Sequence, residues 1–504
     1  MTRPQQRQSG ALLTSDAMTD GDAANSRRVV ARNALIMMLA QILGMPLSML
    51  TNILMGRHLG PEEYGQYYLL TTFATLAFLF VDWGLGTIIP ARIATDRAGA
   101  GRYLGSVMGW TLCGSVVALL FMATVFYLRG ETRTFLAGLS LVCLGQALAL
   151  LVRNATDAVR GFERTGLSAY AQVGTQLLTA VLVIPALFWW GTLLACLVGV
   201  ALASLLVLSW VWRSLRGVGI DQLRFDATTL RDLLAAGTSF LVLNLVLYLT
   251  PAIDAYFLRQ FASEQAIGWL AAARKLINPL LFPATAMISA LYPTLCRLWG
   301  QNARDYCTTA QATLRVAIVI TVPLALGCAL FADVGIRLFS TQTYGPAIDN
   351  LRVLAGYVFL VYLTMIIGTC INAAGRQRLW AVAQSLSLLI SLVADPLLVP
   401  WFQQHLGNGG LGVNFVNVTS ETLLLLAGIW LMPRGIMNRS IALCLARALV
   451  AGGAMAGSAW LLAGRTEWLS VPVAGLCYAL VLYAIGGVQP QQLQALRLML
   501  RRSG

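Results

Sequence analysis

Two adjacent positive charges occur in an apolar part of this 504-residue chain. Arg274 and Lys275 lie in the segment AAARKLINPL, and Lys275 is the only lysine among 35 basic residues. A charged side chain near the centre of a bilayer costs roughly 2.5 to 3.5 kcal/mol, so such residues usually face the interior of a helical bundle. If the helix begins near Ile267, the pair lies about 11 to 12 Å along it. If it begins at Leu276, the pair reaches the outer interface instead.

The residues around this pair define its helical geometry. Arg274 and Asn278 are four residues apart and share one face, whereas Lys275 and Pro279 are rotated by about 100° from it. A bend at Pro279 opens the helix backbone toward a cavity. The apolar, alanine-rich segment IGWLAAA precedes the pair without a helix breaker. This favours the longer helix and makes Arg274, Lys275 and Asn278 candidates for a binding site in a cavity.

Four carboxylates also lie in apolar segments: Asp82 in FVDWGLG, Asp254 in TPAIDAYF, Asp395 in LVADPLL and Glu421 in NVTSETLL. Asp82 and Asp395 are expected near helix ends, where a capping or interfacial role is the main alternative to function. Asp254 follows Pro251 near the outer end of its span, and both roles remain open for it. Glu421 is expected about ten residues into its span, which favours a functional role.

The elements that position these residues are membrane-spanning helices. Hydrophobic residues make up 58% of the chain and charged residues 11%, whereas a soluble domain carries about 25% charged residues. A span needs about 20 apolar residues, and the sequence predicts an all-α polytopic protein with about fourteen such helices. The expected spans include 134–153, 267–295, 378–400 and 411–432.

The predicted organisation is two six-helix lobes around a central cavity plus two extra C-terminal helices. The N-terminal lobe covers residues 29–217, the C-terminal lobe 218–432, and residues 433–504 hold the last two helices and a cytoplasmic tail. Residues 1–28 are polar, lack the apolar core of a signal peptide, and are predicted to be a disordered cytoplasmic tail. With both termini inside, 26 of the 35 basic residues fall on the cytoplasmic side, as the positive-inside rule expects.

An internal repeat supports the two lobes. The segment RHLGPEEYGQYY begins at Arg57, and RQFASEQAIGWL begins at Arg259. Each runs from an arginine through a short stretch with glutamate to a glycine and an aromatic residue that opens the next helix. Repeated six-span halves are a plan of membrane transporters, in which the substrate site lies between the halves.

Several chemistries are disfavoured by missing parts. Lys275 follows LAAAR and not the glycine-rich turn of a nucleotide-binding loop. The only two histidines, His58 and His405, are expected in outer loops, and the nine cysteines form no CxxC pair. No metal site, cofactor or nucleic-acid surface is therefore expected. Outer loops of roughly 20 residues or fewer also disfavour a membrane glycosyltransferase, polymerase or acyltransferase.

The first two spans resemble a known family. The sequence from ARNALIMMLAQ through RHLGPEEYGQYY to FVDWGLG is similar to the opening of the O-antigen, capsule and exopolysaccharide flippases. These belong to the multidrug/oligosaccharidyl-lipid/polysaccharide exporter superfamily. The segment PAIDAYFLRQFASEQAIGWLAAARKL is similar to the junction between spans 7 and 8 of the same family. The resemblance covers both lobes and is weaker over 433–504.

This resemblance implies a two-lobed transporter in the bacterial inner membrane that works by alternating access without ATP. The implied substrate is an oligosaccharide on undecaprenyl diphosphate, and Arg274, Lys275 and Asn278 would bind its diphosphate. The carboxylates Asp254, Glu421, Asp82 and Asp395 would then take up H⁺ or Na⁺. Membrane lipids, a polysaccharide polymerase and a chain-length regulator are the implied partners.

The alternatives within the superfamily are a lipid II flippase and a multidrug or cation antiporter. Lipid II flippases are associated with several arginines in their first two spans, whereas residues 33–56 carry no charge here. An antiporter for cationic drugs would use an acidic cavity, which Arg274 and Lys275 disfavour. The flippase for lipid-linked oligosaccharides is the leading hypothesis.

Overall fold

The computed structural model describes residues 20–220, 222–340, 342–462 and 467–487. Within these ranges the protein is helical and contains no β-strand. A 3₁₀ turn, Asn278–Leu281, joins two of the helices. The α-helices are α1 (Asp20–Asp82), α2 (Leu85–Thr95), α3 (Ala100–Leu128), α4 (Arg133–Gly161), α5 (Gly166–Trp189), α6 (Leu193–Arg216), α7 (Ala227–Phe261), α8 (Glu264–Ile277), α9 (Phe282–Gln301), α10 (Ala303–Leu330), α11 (Ala332–Arg337), α12 (Ala347–Ala373), α13 (Gln377–Leu406), α14 (Gly409–Leu431), α15 (Arg439–Leu461) and α16 (Glu467–Ala484).

In the described ranges, eleven helical segments are long and apolar enough to cross a membrane. Helix α7 is a twelfth when its two parts, which meet at 56°, are counted as one span. One of the eleven, Ile36–Thr95, has 60 residues, although a span needs only about 20. It is broken at Gly60, whose φ of 76° is readily adopted only by glycine. The predicted all-helical polytopic fold is confirmed, whereas the predicted number of fourteen spans is not.

The outer surface of the bundle is apolar. Leu43 is 66% exposed and Trp430 is 84% exposed, and many other large apolar side chains also point outward. Such a continuous surface is unfavourable in water and is suited to contact with lipid. The protein is therefore a multi-pass membrane protein.

Helices α1 to α6 precede a short connection, α7 to α14 follow it, and α15 and α16 come last. Helix α6 ends at Arg216 and α14 at Leu431. We use the names N-terminal lobe for α1 to α6 and C-terminal lobe for α7 to α14. Helix α1 begins at Asp20, so residues 20–28 are helical and the prediction of a disordered tail is wrong for them. The rest of that tail, 1–19, and the predicted C-terminal tail after 487 lie outside the described residues.

Asp226 starts the second half of the chain as the cap of α7. Its carboxylate accepts hydrogen bonds from the backbone N–H groups of Thr228 and Thr229, at 3.2 Å each. Hydrogen bonds from the side chains of Thr229 and Thr228 lower the pKa of Asp226 to about 2. The cap therefore stays ionised at neutral pH, where its negative charge stabilises the helix start.

The two repeated sequence segments pack against each other where α1 meets α8. We call this contact the seam, formed by residues 61–66 and 263–268. A Cβ atom on Gly65 would lie 2.4 Å from the backbone oxygen of Glu264, and one on Gly268 would lie 1.9 Å from that of Pro61. The repeat therefore keeps its two glycines because backbone touches backbone there.

Polar bonds also cross the seam. Gln66 donates to the Glu264 carboxylate at 2.9 Å, and Gln265 donates to the Glu62 carboxylate at 2.8 Å. Each half thus presents a glutamate that accepts a bond from a glutamine of the other half.

An apolar core adjoins the seam. Met55 and Tyr64 of α1 share this core with Ile267, Phe339 and Tyr344 of the second half. The Tyr344 hydroxyl donates to the backbone oxygen of Gly56 at 2.8 Å. The two lobes are therefore joined by buried apolar area as well as by polar bonds.

Candidate functional site

Arg274 and Asp254 form the centre of a polar network in the C-terminal lobe. Arg274 Nη2 donates to Asp254 Oδ2 at 2.7 Å, and Arg274 Nη1 donates to the Tyr68 hydroxyl at 2.5 Å. Asn417 Nδ2 donates to the same Asp254 oxygen at 3.1 Å. The network connects α8 with α7 and α14 inside the lobe, and it reaches α1 of the other lobe through Tyr68.

The depth of the charged pair follows from where α8 begins. Ser263 caps the helix by accepting a bond from the Ala266 N–H group at 3.2 Å, and Glu264 is the first helical residue. Arg274 therefore lies ten residues further on, about 15 Å along the axis. Of the two helix starts considered from the sequence, the structure agrees with the earlier one, near Ile267. Helix α8 ends at Ile277, and the 3₁₀ turn Asn278–Leu281 replaces the simple bend expected at Pro279.

A cavity of about 280 Å³ brings several predicted residues together. Asp254, Arg274, Asn278 and Glu421 line it. The Glu421 carboxylate accepts a hydrogen bond from the Thr364 hydroxyl. Three helices, α7, α8 and α14, thus direct ionisable groups into one space, which we call the ion cavity.

Asp395 lies beside this cavity and not at a helix end. Its helix α13 continues through Pro396 to Leu406, so the expected position near the end of a span is wrong. Proline is tolerated inside membrane helices because neighbouring helices satisfy the freed backbone groups. Asp395 is fully buried, and Asp254 is its acidic neighbour.

The carboxyl groups here outnumber the cations. Asp254, Asp395 and Glu421 face a single guanidinium, that of Arg274. Both oxygens of Asp395 and the Oδ1 atom of Asp254 are buried and have no hydrogen-bond partner within the described part of the chain. Because a buried carboxylate without a partner is strongly unfavourable, this arrangement is suited to take up a proton or a small cation.

Lys275 points into a different cavity, of about 270 Å³, between α1, α5 and α8. We call it the interlobe cavity. Asn278 lines both it and the ion cavity. Lys275 forms no ion pair or hydrogen bond with any described residue, and it is the one charged side chain in the cavity lining. The other polar groups of this lining are uncharged: Gln41, Ser48, Asn52, Gln172 and Gln176.

Asp82 is separated from the other three carboxylates, because it belongs to the N-terminal lobe. It forms an ion pair with Arg153 of α4, and one helical turn further on Asp157 pairs with Arg160 at 2.9 Å. These four residues line a cavity of about 500 Å³ that also includes Gln172 and Gln176. We call it the arginine cavity.

Arg153 and Arg160 were expected in a cytoplasmic loop after a span over 134–153. Helix α4 instead continues to Gly161 and carries both of them. Their spacing with Asp157, at i, i+4 and i+7, places all three on one helical face. That spacing was the signal in the sequence that could have revealed the cavity.

Near the seam, an ionic cluster also joins the lobes. Arg259 of α7 donates to both carboxylate oxygens of Glu131, at 3.1 and 2.7 Å, and to Glu264 at 2.8 Å. Glu131 lies between α3 and α4. The side chains of Arg259 and Glu131 are 27% and 13% exposed, so solvent screens this pair only partly. By the predicted topology this cluster lies at the outer end of the protein.

Residues 30–299, more than half of the chain, match a family described as polysaccharide biosynthesis protein. The chain belongs to this family. It is 22% identical over 382 residues to the probable low-salt glycan biosynthesis flippase Agl15 of Haloferax volcanii, covering 73% of this chain and 78% of the relative.

Solved structures share the fold of this family member. The lipid II flippase MurJ in an inward closed conformation superposes with a TM-score of 0.71 and 11% identity, covering 90% of this chain and 99% of MurJ. An inward-facing multidrug resistance MATE transporter of the MOP superfamily gives a TM-score of 0.63 and 17% identity, covering 77% and 94%. At such identities the likeness concerns the fold, which is that of transporters.

Proposed function

We propose that this protein transfers oligosaccharide repeat units, linked to undecaprenyl diphosphate, across the bacterial inner membrane by alternating access and without ATP. The observation that carries the proposal is Lys275, an unpaired cation in a cavity between the lobes of a polysaccharide biosynthesis family member. A diphosphate has to cross a region of low dielectric constant, where it requires a partner charge. Lys275 supplies that charge, and Asn278 beside it supplies an amide donor.

Arg274 has a second role in this proposal. Its guanidinium is bonded to Asp254 and is therefore not available to an anion. When H⁺ or Na⁺ neutralises Asp254 or Asp395, the electrostatic attraction between Arg274 and Asp254 weakens. The N–H groups of Arg274 then become available to the diphosphate. Asn278, which lines both the ion cavity and the interlobe cavity, marks where the two cavities adjoin. Uptake of a cation by the carboxylates and release of Arg274 for anion binding are then linked.

Opening of the outer end completes the cycle. The Arg259 cluster and the seam bonds have to break before a substrate at Lys275 reaches the opposite leaflet. Because solvent screens the Arg259–Glu131 pair only partly, binding energy from the substrate has to offset the loss of this pair and so shift the equilibrium. The product then passes to the polymerase and the chain-length regulator that the sequence resemblance implies.

Reconstitution tests the proposal. The purified chain in lipid vesicles should move undecaprenyl-diphosphate-linked glycan to the opposite leaflet, where an added glycosidase or lectin detects it. Lys275→Ala should lower the rate about tenfold, equivalent to about 1.4 kcal/mol. The matched control Arg337→Ala removes an arginine remote from the cavities and should leave the rate unchanged. Equal transport of lipid II would instead support a peptidoglycan-precursor flippase, and absence of transport for both would refute the proposal.

A further inference from the structure

We propose that α1 and α5 form the contact surface for the saccharide of the substrate, through the amide side chains of Gln41, Asn52, Gln172 and Gln176. This inference rests on the proposed function, because it assigns the head group of the substrate whose diphosphate Lys275 binds. The class of head group that it specifies is a neutral, hydroxyl-rich saccharide.

The spacing of these residues produces two polar stripes. On α1, Gln41, Ser48 and Asn52 follow each other at i, i+7 and i+11, which keeps them on one face. They extend over about 16 Å at 1.5 Å per residue. On α5, Gln172 and Gln176 are one turn apart. All five line the interlobe cavity, so the two stripes face the same space.

Most of the hydrogen-bonding groups of these amides have no partner among the described residues. The side chains of Gln41, Gln172 and Gln176 form no hydrogen bond with any described residue. Asn52 donates to the Ser48 backbone oxygen at 2.8 Å, but its own Oδ1 atom is buried and unpaired. Because the protein leaves these groups free, an occupant of the cavity can exchange their hydrogen bonds with water for its own. An occupant with many donors and acceptors therefore complements this lining.

The charge of the cavity narrows the chemistry of that occupant. An amide both donates and accepts hydrogen bonds without carrying charge, which complements the hydroxyl groups of a sugar. Lys275 is the one charged group of the lining, and the diphosphate takes it. A carboxylated sugar would then lack a cation among the amides, so neutral sugars fit better.

The stripes also lead toward the arginine cavity. Gln172 and Gln176 line that cavity as well as the interlobe cavity. On α1 the two cavities are one turn apart, since Met37 lines the first and Gln41 the second. Both arginines of that cavity are paired with carboxylates, so it adds no unpaired cation for an acidic sugar. A head group of several neutral sugars thus has a polar path, in which α5 contributes to both parts.

The experiment compares one carrier lipid with and without a sugar. The full-length protein in nanodiscs is titrated with bare undecaprenyl diphosphate and with the same lipid carrying glucose, galactose or N-acetylglucosamine, using tryptophan fluorescence. At least one sugar should tighten binding by the wild type about fivefold or more, a gain typical of one or two added hydrogen bonds. The Gln172→Leu/Gln176→Leu variant should lose this gain and bind the bare lipid as the wild type does.

Two further variants make the result decisive. Gln146→Leu removes an amide of the N-terminal lobe that is already bonded to Thr75 and lines neither cavity, and it should keep the sugar gain. Gln41→Leu tests the α1 stripe separately, in case the double variant fails to fold. An unchanged sugar gain in both stripe variants would overturn the saccharide surface, as would a wild type that binds bare and glycosylated lipid equally. Absence of binding to any of these lipids would overturn the proposed function itself.

Discussion

Arg274 and Lys275 are consecutive in the chain, but Arg274 is bonded to Asp254 in one cavity and Lys275 stands unpaired in another. Because residues one apart on a helix are rotated by about 100°, two adjacent positions on α8 face two different cavities. Asn278, four residues after Arg274, lines both. In the proposed function the pair would therefore separate two tasks, ion-dependent positioning and anion binding, within one helical turn.

The Arg274–Asp254 ion pair should show strong energetic coupling. Arg274→Gln leaves a buried carboxylate without its cation, and Asp254→Asn leaves a largely buried guanidinium without its anion, so each should lower the melting temperature. The double variant should be more stable than the sum of the two effects predicts, with a coupling of about 1 to 3 kcal/mol. Thermal melts of the four proteins in detergent measure this. Additive effects would show that the pair is energetically independent.

Lys275 should be accessible from water although it lies within a span. In a background without the native cysteines, Lys275→Cys should react with a membrane-impermeant thiol reagent added on the cytoplasmic side. Ala273→Cys is the matched control, since Ala273 is fully buried on the same helix, and it should not react. Equal protection of both positions would place Lys275 against lipid or protein and exclude a water-filled cavity.

Removal of the Asp395 carboxyl group should abolish the rise in melting temperature that the coupling ion causes. A ligand that binds only the folded state raises the melting temperature, and the rise grows with the logarithm of the ligand concentration once that concentration exceeds Kd. Adding the coupling ion, either Na⁺ or H⁺, should therefore stabilise the wild type. Asp395→Asn should cancel this shift without unfolding the protein, because it replaces an unpaired buried charge by a neutral group. Asp82→Asn, in the N-terminal lobe, is the control that should keep the shift.

The Arg259–Glu131 ion pair should control how often the outer end opens. Glu131→Gln weakens two bonds to Arg259, and the population should shift toward conformations in which the lobes are apart. Spin labels at the exposed positions Thr134 and Gln260 should report longer distances for this variant in double electron–electron resonance.

A matched pair within one lobe serves as its control. Arg97 and Glu163 are 3.6 Å apart and both belong to the N-terminal lobe. Glu163→Gln should leave the distance distribution unchanged. If Glu131→Gln gives the same distribution as Glu163→Gln, the cluster does not hold the outer end closed.

The sequence predicts the helical fold and the membrane location well, because apolar runs and the absence of charge are properties of single segments. It also identifies Arg274, Asp254 and Glu421, since each is a charge in an apolar run. The contact between Arg274 and Asp254 is harder to predict from the sequence, because 20 residues and a loop separate them.

Other parts of the cavities depend on tertiary packing. Asp395 was expected at a helix end because proline follows it, but α13 continues beyond that proline. The amides of α1 and α5 carry no charge, so no single position marks them as unusual in the sequence. Their importance becomes evident only when both stripes are seen to face Lys275. Arg153 and Arg160 were missed because α4 is longer than the uncharged run that defines it.

The seam has a mechanical consequence. Where Gly65 and Gly268 meet, backbone touches backbone, and no side chain lies between the halves to change rotamer and absorb a small displacement. Closely packed interfaces do not deform continuously; they hold or they separate. A partly separated seam would have no contacts to stabilise it. We therefore expect the outer end to populate two states, closed and open, without stable intermediates.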